Sequence, residues 1–127
     1  MALLAAVTAL ACGSASPPAE AQIGLNDFAC HPPPRHRYPV VIVHGVWLDA
    51  DATARRLAPA LTRLGYCVFA VSYGNGGTAR MDLAAGEFAA FVQRVLDATG
   101  ARRVSIVGHS SGGTLARSLP RRRRRCR

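Results

Sequence analysis

Hydrophobic residues run along this chain in two different periods. Three short runs are nearly continuous: Val40-Val41-Ile42-Val43, Cys67-Val68-Phe69-Ala70-Val71, and Val104-Ser105-Ile106-Val107 after Arg103. Apolar, β-branched runs of this length fit strands covered on both faces of a parallel sheet. Between them the period lengthens to that of a helix. Asp49 and Asp51 are N-cap candidates for a helix reaching Leu64, with Gly65 at its end and Leu57, Leu61 and Leu64 on one face. Pro59 is expected to kink this helix or to mark the first turn of its main segment. A second helix is predicted from Thr78 to Thr99, with Ala84, Phe88, Phe91, Val92 and Val95 as its core stripe and Gly100 as its cap. Gly74-Asn75-Gly76-Gly77 reads as a flexible loop at the carboxyl end of the second strand. The alternation β-α-β-α-β-α predicts an α/β fold: a parallel sheet of about three strands with flanking helices and right-handed crossovers.

Chemistry enters with Gly108-His109-Ser110-Ser111-Gly112, followed by Gly113. A strand, G-x-S-x-G and then small residues that can open a helix form a nucleophile elbow. The sharp turn lifts the Ser110 hydroxyl above the sheet in a strained backbone conformation. Gly108 and Gly112 stand two residues to either side, where a Cβ would crowd the turn. Upstream, His44-Gly45-Val46 follows the first strand and turns the chain outward. A loop in that position supplies one oxyanion-hole N–H, and the residue after the nucleophile supplies the other. The candidate donors are therefore the amides of Val46 and Ser111. The glycines at 74–77 lack the lysine and the spacing of a phosphate-binding loop. There are no internal repeats and no metal-ligand clusters.

Six stretches in the same order carry a family resemblance: Asn26-Asp27-Phe28-Ala29-Cys30, Pro39 to Gly45, Leu57-Ala58-Pro59, Gly65 to Ala70, Ser72-Tyr73-Gly74 and Val107 to Ser110. Over residues of about 26 to 117 the chain resembles a secreted bacterial triacylglycerol lipase of the α/β-hydrolase superfamily, of the class 2 lipase type. One departure is Ser111, where relatives commonly carry Gln; its backbone N–H survives that change. The resemblance implies a partial α/β-hydrolase fold with Val40–Val43 as the middle strand. It also implies Ser110 as nucleophile, Val46 and Ser111 as oxyanion donors, and His44, Gly45, Gly108, His109 and Gly112 as motif support. A disulfide between Cys30 and Cys67 follows from the resemblance as well; on the residues alone, two buried free thiols remain an alternative. No cofactor and no metal are implied.

A triad in this superfamily runs Ser, then Asp or Glu, then His. Seventeen residues follow Ser110, and none is Asp, Glu or His. His44 belongs to the His-Gly turn, His109 is expected to point away from Ser110, and His31 and His36 read as solvated loop residues. The chain as it stands is therefore expected to be catalytically incomplete. Charge bears on the same point. Residues 1–120 carry ten Arg against seven acidic residues, whereas 121–127, Arg-Arg-Arg-Arg-Arg-Cys-Arg, supply six of the nine net positive charges. A polybasic segment can bind anionic surfaces. The absence of Lys and the abundance of Arg and Ala favour instead a truncated or frame-shifted end on a GC-rich gene.

At the other terminus, Met1 to Ala11 is apolar and too short to span a bilayer. With the helix-breaking 13–18 and the small-x-small Ala19-Glu20-Ala21, it predicts a signal peptide cleaved after Ala21. Lipidation at Cys12 is the alternative. The expected domains are thus a leader over 1–21, the N-terminal part of a hydrolase domain over 22–120, and an Arg-rich segment over 121–127. Export permits a disulfide, and Cys126 is then an odd thiol. The leading function is a lipase or esterase hydrolysing carboxylic esters through an acyl-enzyme. Acyl transfer or thioester hydrolysis on the same fold, and a non-enzymatic cationic protein acting through its Arg segment, are the competing readings. The expected partner is a lipid or small ester, with no nucleic acid; the oligomeric state is not indicated.

Overall fold

The computed structural model describes residues 24–119. The expected leader with cleavage after Ala21, the Cys12 alternative and the Arg-rich 121–127 lie outside the described residues.

Three parallel strands form the sheet: β1 (Val40–Val43), β2 (Val68–Val71) and β3 (Ser105–Gly108), in the order β2-β1-β3. Val40 pairs with Val68 and Ser105, and Val43 with Val71 and Gly108, so the three carboxyl ends lie side by side. The central place of β1 agrees with its composition, since every residue of Val40–Val43 is buried. β3 begins one residue later than its apolar run suggests. The Ser105 N–H donates to Pro39 O, and pairing with β1 extends through Gly108. Val104 is left outside the strand, half-buried against the core.

Both faces of β1 and β2 are covered, by helices that alternate with the strands, whereas β3 at the edge is largely exposed. On one face α1 (Ala50–Arg63) packs against Val40, Ile42, Val68 and Ala70. On the other, α2 (Met81–Thr99) and α3 (Ser111–Ser118) cover Val41, Val43, Phe69 and Val71 with Ala84, Phe88, Val92, Val95 and Leu115. The crossover from β1 to β2 and that from β2 to β3 run in opposite directions, so a single hand requires their helices on opposite faces.

The elements differ from expectation in three further places. α1 is capped by Asp49, whose carboxylate accepts from the Ala52 N–H at 2.7 Å, and it continues through Pro59. Its buried stripe is Ala50, Ala54 and Ala58, with Leu57 and Leu61 beside it and Leu64 exposed. Alanines four apart let the helix approach the strands closely, and the leucines then fill the flank. α2 starts at Met81 rather than Thr78, because Thr78 and Ala79 both donate backbone N–H groups to Gly74 O and close a turn. Gly100 ends it with φ 66°, as a C-cap glycine should. Residues Gly74–Gly77 are not a free loop: Gly74, Asn75, Gly76 and Gly77 all have positive φ, between 47° and 77°, and form one left-handed turn. Glycine and asparagine are the residues that tolerate this conformation.

The outer edge of β2 is closed by the arm before β1. Leu25 bridges Val68, and the Asn26 side chain both accepts from the Ala70 N–H (2.8 Å) and donates to Ala70 O (3.1 Å), imitating a strand. Cys30 and Cys67 are joined by a disulfide with 37 residues of sequence separation. Cross-linking across that distance restricts the unfolded chain by about 4 kcal/mol on loop-entropy grounds. Reduction should therefore lower the unfolding free energy by about 2–4 kcal/mol, read by urea titration with and without reductant. An unchanged midpoint would mean that the bond does not constrain the fold.

Candidate active site

The helices that follow β1 and β3 leave toward opposite faces of the sheet, α1 to one and α3 to the other. Such a switch point opens a crevice at the carboxyl ends, the usual binding position in α/β sheets. Ser110 lies at this crevice. Its backbone has φ 54° and ψ −125°, it is exposed, and it immediately precedes α3. A positive φ at a non-glycine residue costs of order 1–3 kcal/mol and persists where its surroundings enforce it.

Those surroundings are contacts that leave no room for a side chain. A Cβ on Gly108 would sit 2.6 Å from the Gly113 Cα and N, and one on Gly112 would meet the carbonyl oxygens of Val43 and His44. A Cβ on Gly45 would lie 3.0 Å from the Ser110 Cβ. The His109 N–H donates to Val43 O at 2.9 Å and so continues the ladder between β3 and β1 into the turn. Strand-end alternation would direct the His109 side chain away from Ser110. In the structure its Nδ1 lies 3.2 Å from the same Cβ position on Gly45, so both side chains border one point. Strand alternation fails there because the positive φ of Ser110 redirects the chain.

His44 is buried and fully engaged. Its Nε2 accepts from the Tyr73 N–H at 3.2 Å, so its Nδ1 carries the proton and donates to Gly45 O at 2.8 Å. The Tyr73 ring stacks on the imidazole with centroids 4.3 Å apart, and its hydroxyl donates to His44 O at 2.8 Å. The imidazole is thus a structural plug beneath the turn. Val46 is exposed beyond Gly45, and the loop is held from above by the left-handed turn: the Trp47 N–H donates to Gly76 O at 2.8 Å. A Cβ on Gly77 would meet Gly45 O at 3.0 Å and the Val46 Cα at 3.2 Å. Glu87 from α2 fixes that turn by accepting the Gly74 N–H at 2.8 Å.

Among the described residues, neither the Val46 N–H nor the Ser111 N–H makes a hydrogen bond. Ser111 opens α3, whose N-terminal dipole favours negative charge at the Ser110 position. The arrangement thus sets an exposed serine directly before a helix N-terminus and against the Gly45 turn. Of the other histidines, His31 is exposed, whereas His36 is half-buried and stacks on Tyr66 at 3.8 Å, not the solvated residue its Pro-rich setting suggests. Tyr73, Glu87 and Asn26 escaped the sequence reading as structural supports, because their partners are distant backbone atoms that leave no spacing signal. No group of three or more His, Cys, Asp and Glu that could hold a metal occurs among the described residues.

No curated protein matches this chain at a significant level. A family match does exist, to Lipase (class 2), over residues 37–122. That span is more than half of the sequence and runs from before β1 to beyond α3, taking in both the His44-Gly45 turn and the elbow around Ser110. The chain belongs to the class 2 lipase family.

Proposed function

We propose that Ser110 is the nucleophile of a secreted carboxylic ester hydrolase, with acylglycerols as the substrate class. The observation that carries this reading is the conformation of Ser110: an exposed hydroxyl on a positive-φ turn, pressed against Gly45 and followed at once by a helix N-terminus. In the reaction, Ser110 Oγ adds to the ester carbonyl carbon as its proton passes to a base. The carbonyl oxygen becomes an oxyanion that accepts from the Val46 and Ser111 N–H groups. The tetrahedral intermediate expels the alcohol, protonated by that base, and leaves an acyl-Ser110 ester that water then cleaves. Loss of one such donor costs about 3–4 kcal/mol of transition-state stabilisation.

His44 cannot be the base while both ring nitrogens are engaged, and residues 111–127 contain no Asp, Glu or His. On this reading neither a base nor an acid for Ser110 follows it within residues 111–127. Catalysis by Ser110 is tested by intact-mass analysis of a version extended through an acid and a histidine, reacted with a p-nitrophenyl ester. An acyl adduct on the Ser110 peptide supports the reading, and its absence during turnover overturns it. Transfer of the acyl group to an added alcohol or thiol in preference to water would instead make the protein an acyltransferase.

Export is part of the same proposal, and the Cys30–Cys67 disulfide is compatible with it. Protein recovered from the medium should begin at Gln22 and carry both cysteines oxidised. A mass that retains Met1, or one corresponding to lipidation at Cys12, would contradict cleavage after Ala21.

A further inference from the structure

The two ends of the molecule differ in charge. A parallel sheet is entered from one side by every strand, and here each of the three entries carries exposed arginines. Arg35 and Arg37 precede β1, Arg63 closes α1 before β2, and Arg102 and Arg103 precede β3. The strands are neighbours, so these entries span about 10 Å of one surface. Of the acidic residues, Asp97 lies at this end, in the last turn of α2, and its carboxylate accepts from the Gln93 side chain. Asp27 belongs to the arm along β2. Asp49, Asp51, Asp82 and Glu87 gather instead at the carboxyl end with Arg80, which pairs with Asp82 at 3.0 Å. Among the described residues, no carboxylate pairs with any of the five arginines.

Helix dipoles explain only part of this sorting. Arg63 lies in the last turn of α1, where a cation is favoured. Arg102 and Arg103 come after the Gly100 cap, and Arg35 and Arg37 belong to a short 3₁₀ turn over Pro34–His36. Arg35 also ties two entries together, since its guanidinium lies 3.2 Å from the position of a Cβ on Gly65, between α1 and β2.

The layout narrows the choice of partner. A guanidinium is a planar fork that pairs bidentately with a carboxylate. Five of them spread over three separate connections suit a chain of repeated anions better than a single anion. Single-stranded nucleic acid binds where aromatic faces are open to its bases. Here the His36 and Tyr66 rings stack on each other at 3.8 Å, and the Arg37 guanidinium stands over the Tyr38 ring. Among the described residues, Leu64 is the one large apolar side chain at this end that is more than half exposed, so insertion into a bilayer has little to draw on.

We propose that the amino end of the sheet is a docking surface for a carboxylated polysaccharide, with Arg35, Arg37, Arg63, Arg102 and Arg103 pairing with carboxylates along the polymer. Ser110 opens at the opposite end, so the bound polymer leaves the crevice free. The surface does not depend on the hydrolase reading, and it is distinct from the Arg-rich 121–127.

Immobilised polygalacturonate should retain the 127-residue protein at low salt and release it as salt rises. Arg35→Gln with Arg37→Gln, and Arg102→Gln with Arg103→Gln, should each weaken binding roughly tenfold while circular dichroism stays native. Equal charge removed elsewhere, by Arg55→Gln with Arg56→Gln or by Arg121→Gln with Arg122→Gln, should weaken it less than about twofold. Phenylglyoxal labelling of the unaltered protein, read by peptide mass, needs no variant to fold. The polymer should protect the five arginines and leave Arg55 and Arg56 as reactive as before. The proposal is overturned if the protein is not retained, if either control pair costs as much as the patch pairs, or if protection is uniform along the chain. It is equally overturned if duplex DNA or phosphatidylglycerol vesicles bind the same five arginines more tightly than polygalacturonate does, which would assign the surface to nucleic acid or to membrane.

Discussion

Gly112→Ala should destabilise this protein by about 4 kcal/mol or more, enough to prevent folding in a small domain, although the substitution adds one methyl group to a helix. Ordinarily glycine to alanine inside a helix is favourable by up to about 1 kcal/mol. Here the new Cβ would meet the Val43 and His44 carbonyl oxygens and lie 2.9 Å from the Val43 carbonyl carbon. All three are backbone atoms of the central strand and its end, so no side chain can swing away. Relief would require α3 to lift from β1, withdrawing the fully buried Leu115 from the core and undoing the Ser110 turn. Gly113→Ala is the control. Its Cβ would approach nothing closer than Gly108 O at 3.6 Å, an ordinary contact, and it should be neutral or mildly stabilising. Thermal unfolding followed by far-ultraviolet circular dichroism compares the two. Equal midpoints would show that the close approach of α3 to β1 does not govern stability.

That contact was legible in the sequence because the motif itself encodes it. Glycines two residues either side of Ser110 announce that backbone must pass close by, without saying what passes. The strands were legible for a similar reason. Runs such as Val40–Val43 have no polar residue to turn toward water, and a parallel sheet covered on both faces is where such runs are stable. The slip at β3 arises because pairing follows the neighbouring strand rather than hydrophobicity. Ser105 and Gly108 are in register with Val40 and Val43, whereas Val104 lies before the first pair.

What was not legible depends on tertiary partners. In α1 the leucine spacing suggests the buried face, yet the alanines at 50, 54 and 58 meet the sheet, since helix-to-sheet distance decides which side of an amphipathic helix is innermost. The glycine-rich 74–77 reads locally as a flexible loop. Its left-handed form depends on Glu87, 13 residues onward, and on Trp47, far upstream. The plug formed by His44 and Tyr73 joins residues 29 apart through a backbone N–H and a carbonyl, groups that every residue carries. Sequence patterns therefore located the turn at Ser110 and the turn opposite it, and left unseen the supports that hold the two together.

The second large effect concerns Ser110 itself. Alanine at this position keeps the Cβ that contacts Gly45 and removes the oxygen alone, so the fold and the disulfide should be unaffected. Losing the nucleophile of a serine triad lowers kcat by about 10⁴–10⁶, with residual turnover from the oxyanion hole and substrate binding. The decisive measurement is p-nitrophenyl ester turnover by three proteins: the 127-residue chain, a version extended through an acid and a histidine, and that version with Ser110→Ala. The account predicts negligible turnover by the first, activity in the second, and a loss of about 10⁴–10⁶ in kcat in the third with an unchanged circular dichroism spectrum. Turnover that persists after Ser110→Ala, in either length of chain, would contradict it.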